Sequence, residues 1–217
     1  MYSSIGFALG LERCKIEQLW NFGKMICKGC NIVNPLDKQY NQTFSRGNLS
    51  NPKFFFVGEA PGSIFIRRAE NLSNEDKILQ MFFSREKTLR RAFNYTKTSY
   101  ILKRALFYAD IMEQSYITNL MKCPNFENKL VTQEQFGSCF KFFENEMKLL
   151  KPKQVFVLGN NVYNYFKRRG IECIKIKHPA FYVYKQEEEK KAALMVADEI
   201  KQSMGEEKYD VSLRKFS

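Results

Sequence analysis

The sequence lacks any apolar run approaching the roughly 20 residues that a bilayer-spanning helix needs, which argues against a membrane span. It also lacks, at its start, a charged segment followed by an apolar one: Met1-Tyr2-Ser3-Ser4-Ile5 does not read as a secretory leader. The expected setting is therefore a reducing compartment, cytoplasmic and nucleoid-associated or otherwise intracellular, in which six cysteines serve as thiols rather than disulfides. No internal repeat and no low-complexity tract is present. What is there is a chain of 217 residues with 44% hydrophobic and 27% charged residues, enough to bury one real core, so a single domain over 1–217 is expected.

Thirty-five Lys and Arg stand against 23 Asp and Glu, a formal charge of +12. A field of that sign attracts polyanions and makes nucleic acid the leading partner, although a solvated lysine coat gives the same total. The decision falls to motifs.

Apolar patterning alternates strands with helices. An amphipathic helix is expected near Leu11 to Gly23, then an irregular cysteine-bearing stretch from Met25 to Asn51. Lys53 to Val57 is a short run, apolar from Phe54 onward and ending at Gly58, the look of a parallel strand covered on both faces. Ser63 to Arg91 mixes basic and apolar residues and reads as an insertion outside the core. A helix from Tyr100 to Ala109, a strand at Tyr116 to Thr118, and a helix from Gln133 to Leu150 follow. The last has a capping box, Thr132 with Gln135, and a stop at Pro152. A strand at Gln154 to Leu158, a helix from Asn161 to Arg169, a strand at Glu172 to Lys177 and a closing helix from Glu187 to about Met204 complete the series. The pattern predicts an α/β domain of three layers, α/β/α, around a central, mostly parallel four-stranded sheet.

Parallel sheets place their sites at the carboxyl ends of strands. The unusual residues fall there: Gly58-Glu59-Ala60-Pro61-Gly62, Asn119, Gly159 and His178-Pro179-Ala180, the histidine being the only one in the chain. Separately, Cys27-Lys28-Gly29-Cys30 is a C-x2-C pair, while Cys123 and Cys139 lie 16 positions apart. Four thiolates that converge would suit zinc or an iron–sulfur cluster, which spacing alone does not separate, and the plain alternative is buried apolar cysteines. Cys14 and Cys173 read as core residues.

Taken in order, Gly58 to Gly62, Thr118-Asn119-Leu120-Met121-Lys122-Cys123-Pro124, Lys151 to Gly159 and His178-Pro179-Ala180 resemble the signature blocks of family 4 uracil-DNA glycosylases, over about Cys27 to Ala180. The resemblance implies a monofunctional DNA glycosylase of base excision repair. Its partner would be uracil-containing DNA, single- or double-stranded, engaged by a monomer away from any membrane. It implies a [4Fe-4S] cluster on Cys27, Cys30, Cys123 and Cys139. Asn119 would read the base, with Gly58, Ala60 and Gly62 walling the pocket and Phe93, or else Tyr95, stacking on the base. His178 would donate to the uracil O2, and Glu59 would stabilise the sugar cation or orient water. Phe181 or Tyr182 would wedge into the duplex, with Lys185 near phosphate.

The chain departs from that pattern in three places. Ser63-Ile64-Phe65-Ile66 stands where an acidic residue is expected, Asn94 to Ser99 replaces a glycine-rich turn, and the segment between the first motif and Phe93 is longer. These departures keep a second reading open, a DNA-binding member with altered catalysis. A zinc-bearing structural module is the third.

Overall fold

A strand buried on both faces needs apolar side chains at consecutive positions, because successive residues point to opposite sides of the sheet. Phe55, Phe56 and Val57 meet that requirement, all at 0% exposure. The computed structural model describes residues 46–48, 51–60, 97–122 and 131–205. In chain order the elements are β1 (Arg46–Gly47), β2 (Phe54–Gly58), α1 (Lys97–Tyr108), a 3-10 turn (Met112–Gln114), β3 (Ser115–Asn119), α2 (Gln133–Leu150), β4 (Gln154–Leu158), α3 (Asn160–Arg168), β5 (Ile174–Ile176), α4 (Ala180–Tyr184) and α5 (Glu189–Ser203).

The sheet order is β1-β3-β2-β4-β5. The four long strands are mutually parallel, as expected, with Phe56 opposite Ile117 on one side and Phe156 on the other. β1, a two-residue antiparallel edge on β3, was not expected, since two residues carry no periodic pattern.

Alternation along the strands splits the interior into two cores. Phe55, Val57, Tyr116, Val155 and Val157 pack against Phe136, Phe140 and Phe143 of α2 and Val162, Tyr165 and Phe166 of α3. Phe56, Phe156, Leu158 and Ile176 face Ile101, Leu102 and Ala105 of α1 and Ala193, Val196, Ala197 and Ile200 of α5. The Phe56 and Phe156 rings stack across neighbouring strands, 4.8 Å apart and nearly parallel. Three layers result.

α2 starts and stops where its sequence says. Thr132 accepts the Gln135 N–H while the Gln135 side chain accepts the Thr132 N–H. At the other end Lys151 adopts the left-handed conformation before Pro152, and its N–H caps the Met147 carbonyl. Among the described residues no helix is long and apolar enough to cross a membrane. The expected N-terminal helix and the 63–91 insertion lie outside the described residues.

Candidate active site

The helix that follows β2 covers one face of the sheet and the helix that follows β4 covers the other. Adjacent parallel strands whose connections leave in opposite directions open a crevice at their carboxyl ends. Gly58, Glu59 and Ala60 stand at the carboxyl end of β2 and Gly159 at that of β4. Asn119 ends β3 and His178 follows β5, so both belong to the same rim.

Two glycines set how closely these groups approach. A Cβ on Gly58 would stand 2.5 Å from Asn119 Oδ1, so the amide lies flush against the end of β2 only because that position has no side chain. Gly159 has φ +90°, and a Cβ there would stand 3.3 Å from the Cβ of His178. Gly58 thus adjoins the amide and Gly159 adjoins the imidazole.

The turns behind them are pinned by hydrogen bonds. The Leu120 N–H donates to the Gly58 carbonyl and the Met121 N–H to the Glu59 carbonyl, both at 2.9 Å, extending the parallel ladder past the strand ends. Glu59 is half-buried, and its Oε1 accepts the Val131 N–H at 2.7 Å, while Asn161 Nδ2 donates to the Val131 carbonyl at 3.1 Å. The glutamate therefore fastens the approach to α2.

His178 is half-buried, and its Nδ1 accepts the Ala180 N–H at 3.2 Å in the first turn of α4. That bond puts the proton of the neutral ring on Nε2. Burial lowers the pKa of the ring from its ordinary value, which favours this neutral form.

The two aromatic residues after the histidine part ways. Phe181 is 46% exposed, with Lys177 Nζ 5.8 Å and Lys185 Nζ 5.5 Å from its ring centre. Tyr182 is 3% exposed and belongs to the core beside α5. Of the two residues expected as candidates for a wedge, Phe181 presents its ring to solvent and Tyr182 packs in the core. Cys139 is a buried thiol on α2, outside any disulfide. Cys173, expected within a strand, sits just before β5 and packs partly against the core. Gly62, Phe93, Tyr95, Cys27, Cys30 and Cys123 lie outside the described residues. Among the described residues no group of three or more His, Cys, Asp or Glu side chains is placed to hold a metal ion.

A sequence model of the Uracil DNA glycosylase superfamily matches residues 44–198, which spans β1 to α5 and every rim residue above. The chain belongs to the uracil DNA glycosylase superfamily. No curated protein matches the chain. Superfamily membership implies a DNA glycosylase-type function with DNA as substrate, and it agrees with the parallel sheet flanked by helices.

Reading the sequence missed three residues that hold this superfamily rim together. Glu146 lies on the apolar stripe of α2, in line with Phe136, Cys139, Phe143 and Leu150. A charged residue at such a position is itself a signal of a buried partner. That partner is Lys122, whose Nζ lies 2.6 Å from Glu146 Oε2. Burial pulls the Lys122 pKa down, opposed by the Glu146 charge. Glu199 of α5 accepts the Lys177 N–H, and nothing in the sequence around it marks that role.

Proposed function

We propose that the protein is a monofunctional uracil-DNA glycosylase of the iron–sulfur type, removing uracil from DNA in base excision repair. A base inside a duplex is out of reach, so the nucleotide must swing into a pocket and be read there by its Watson–Crick edge. The Asn119 amide suits uracil, since its oxygen accepts from N3–H and its nitrogen donates to O4. Breaking the glycosidic bond sends the electron pair to the base and leaves positive charge on the sugar, which water captures at the anomeric carbon, its released proton ending on the base or in solvent. A donor aimed at uracil O2 lowers that barrier, and removal of one such donor typically costs about 10²–10³-fold in rate.

The observation that carries this reading is the hydrogen bond from Ala180 N–H to His178 Nδ1. It makes Nε2 the donor of an uncharged ring, the form able to stabilise an oxyanion without first losing a proton to it. The Glu59 carboxylate stands at the crevice and supplies negative charge near the sugar cation, whichever oxygen holds the Val131 N–H. Phe181 would enter the duplex where the base left, with Lys177 and Lys185 beside it.

Cys27, Cys30, Cys123 and Cys139 would hold a [4Fe-4S] cluster. The one ligand among the described residues, Cys139, is a buried thiol of the soft type such a cluster takes. When bound, the cluster would cross-link the N-terminal segment, the turn after Lys122 and α2. Bond cleavage uses the side chains of the rim alone.

The test is incubation with a uracil-containing oligonucleotide, scored as alkali-labile abasic sites. Wild-type protein is expected to yield them, and no product above that of an Asn119→Ala, His178→Ala double variant would overturn the reading. Phe65, where an acid is expected, favours the second reading of a DNA-binding member with altered catalysis. That reading requires salt-sensitive DNA binding without base release. Anaerobic purification followed by metal analysis separates iron with visible absorbance from colourless zinc.

A further inference from the structure

Beneath Asn119 lies a polar group that the reaction above does not use. Lys122 and Glu146 are 2% and 0% exposed, and their Nζ and Oε2 atoms are 2.6 Å apart. Lys122 Nζ also donates to Thr118 Oγ1 at 2.6 Å. Thr118 Oγ1 lies 3.0 Å from Glu146 Oε1, and the Tyr116 hydroxyl donates to the same oxygen at 2.9 Å. The Lys122 ammonium stands 4.7 Å from the centre of the Phe142 ring, which closes that side.

Removing both charges from water is costly, and an apolar pair of similar volume commonly holds a core as well or better. Net stability is therefore not what this pair distinctively supplies. Direction and register are. Tyr116, Thr118 and Lys122 come from β3 and the turn after it, while Glu146 comes from α2, 24 positions on from Lys122. Asn119 lies between Thr118 and Lys122, both of which the carboxylate grips. Leu120 and Met121 are held in turn by the Gly58 and Glu59 carbonyls. The backbone of Asn119 is thus clamped on both sides, and its amide projects from a fixed base.

We propose that Lys122 and Glu146 are positioning residues for Asn119, fixing the strand end from which its amide reads the flipped base. A strand end that shifted by a few tenths of an ångström would carry the amide away from the edge of the base it reads. This inference rests on the glycosylase reading above.

Two variants test it: Lys122→Met combined with Glu146→Leu, which replaces the pair by apolar side chains, and Glu146→Gln alone. Three quantities are measured: thermal midpoint, excision of uracil, and affinity for a duplex carrying an abasic-site analogue, which has no base to read. Both variants are expected to lose at least about tenfold in uracil excision. Affinity for the abasic duplex should stay within about twofold, and the double variant should melt no lower than wild type. Excision at the wild-type rate in either folded variant overturns the proposal. So does a parallel loss of excision and abasic-duplex affinity, which marks a merely structural role. If the double variant does not fold, Glu146→Gln decides by the same criteria. Wild-type protein that releases no uracil counts against the glycosylase reading itself, an outcome recognisable before any variant is made.

Discussion

Glu199 accepts the Lys177 N–H through Oε1 at 3.0 Å, one residue ahead of His178. The carboxylate belongs to α5, so the last described helix also holds the residue beside the imidazole. Its second oxygen is buried and has no hydrogen-bond partner among the described residues. Glu199→Ala removes the acceptor, and loss of a solvent-accessible hydrogen bond of this kind costs about 0.5–1.5 kcal/mol of stability. Excision in a single turnover is expected to fall by about tenfold through misplacement of His178, and Glu199→Gln, which keeps an acceptor oxygen, should recover most of it. An alanine variant that cleaves like wild type would sink the idea.

Stability should carry a pH signature of His178. Burial lowers the ring's pKa below 6.5, so as pH falls the unfolded chain takes up the proton first. The contribution is fully present above about pH 6.5 and is lost as pH falls through the folded-state pKa. Protonation would also set a hydrogen on Nδ1 against the Ala180 N–H, disrupting the turn. Urea unfolding of wild type and His178→Asn between pH 5 and 8 should show their difference in stability changing below pH 6.5. A constant difference across that range would contradict the assignment.

Gly58→Ala places a methyl group where the Asn119 amide lies. Overpacking of this kind costs about 1–3 kcal/mol, and because the displaced atom is the reading group, uracil excision should fall further than stability alone explains. The informative comparison is with affinity for an abasic duplex, expected to change little. Equal losses in both would mean that the rim as a whole had shifted.

Lys177 and Lys185 flank the exposed Phe181 ring. If each neutralises one phosphate, replacing either by alanine lowers the dependence of log affinity on log salt by about 0.9 for duplex DNA. Phe181→Ala should weaken duplex binding with the salt slope unchanged, since a ring releases no counterions. Titration of a labelled duplex across a salt series distinguishes the two, and an unaltered slope in both lysine variants would remove them from the phosphate path.

The sequence alone determined whatever depends on neighbours along the chain. The bounds of α2 follow from Thr132, Gln135 and Pro152, all within one turn of its ends. The central strands follow from uninterrupted apolar runs, and once they are parallel, Gly58, Asn119, Gly159 and His178 must share a rim. Only the tertiary structure decided what depends on the docking of distant segments. Phe181 and Tyr182 are adjacent aromatic residues with no local difference, yet one is exposed and the other buried because α5 meets a single side of the short helix. Glu59 reaches Val131 across 72 positions, and Glu146 finds Lys122 only when α2 crosses the end of β3. Periodicity records which face of a helix is apolar; it carries no record of which partner waits there, because that is fixed by packing between elements the chain brings together last.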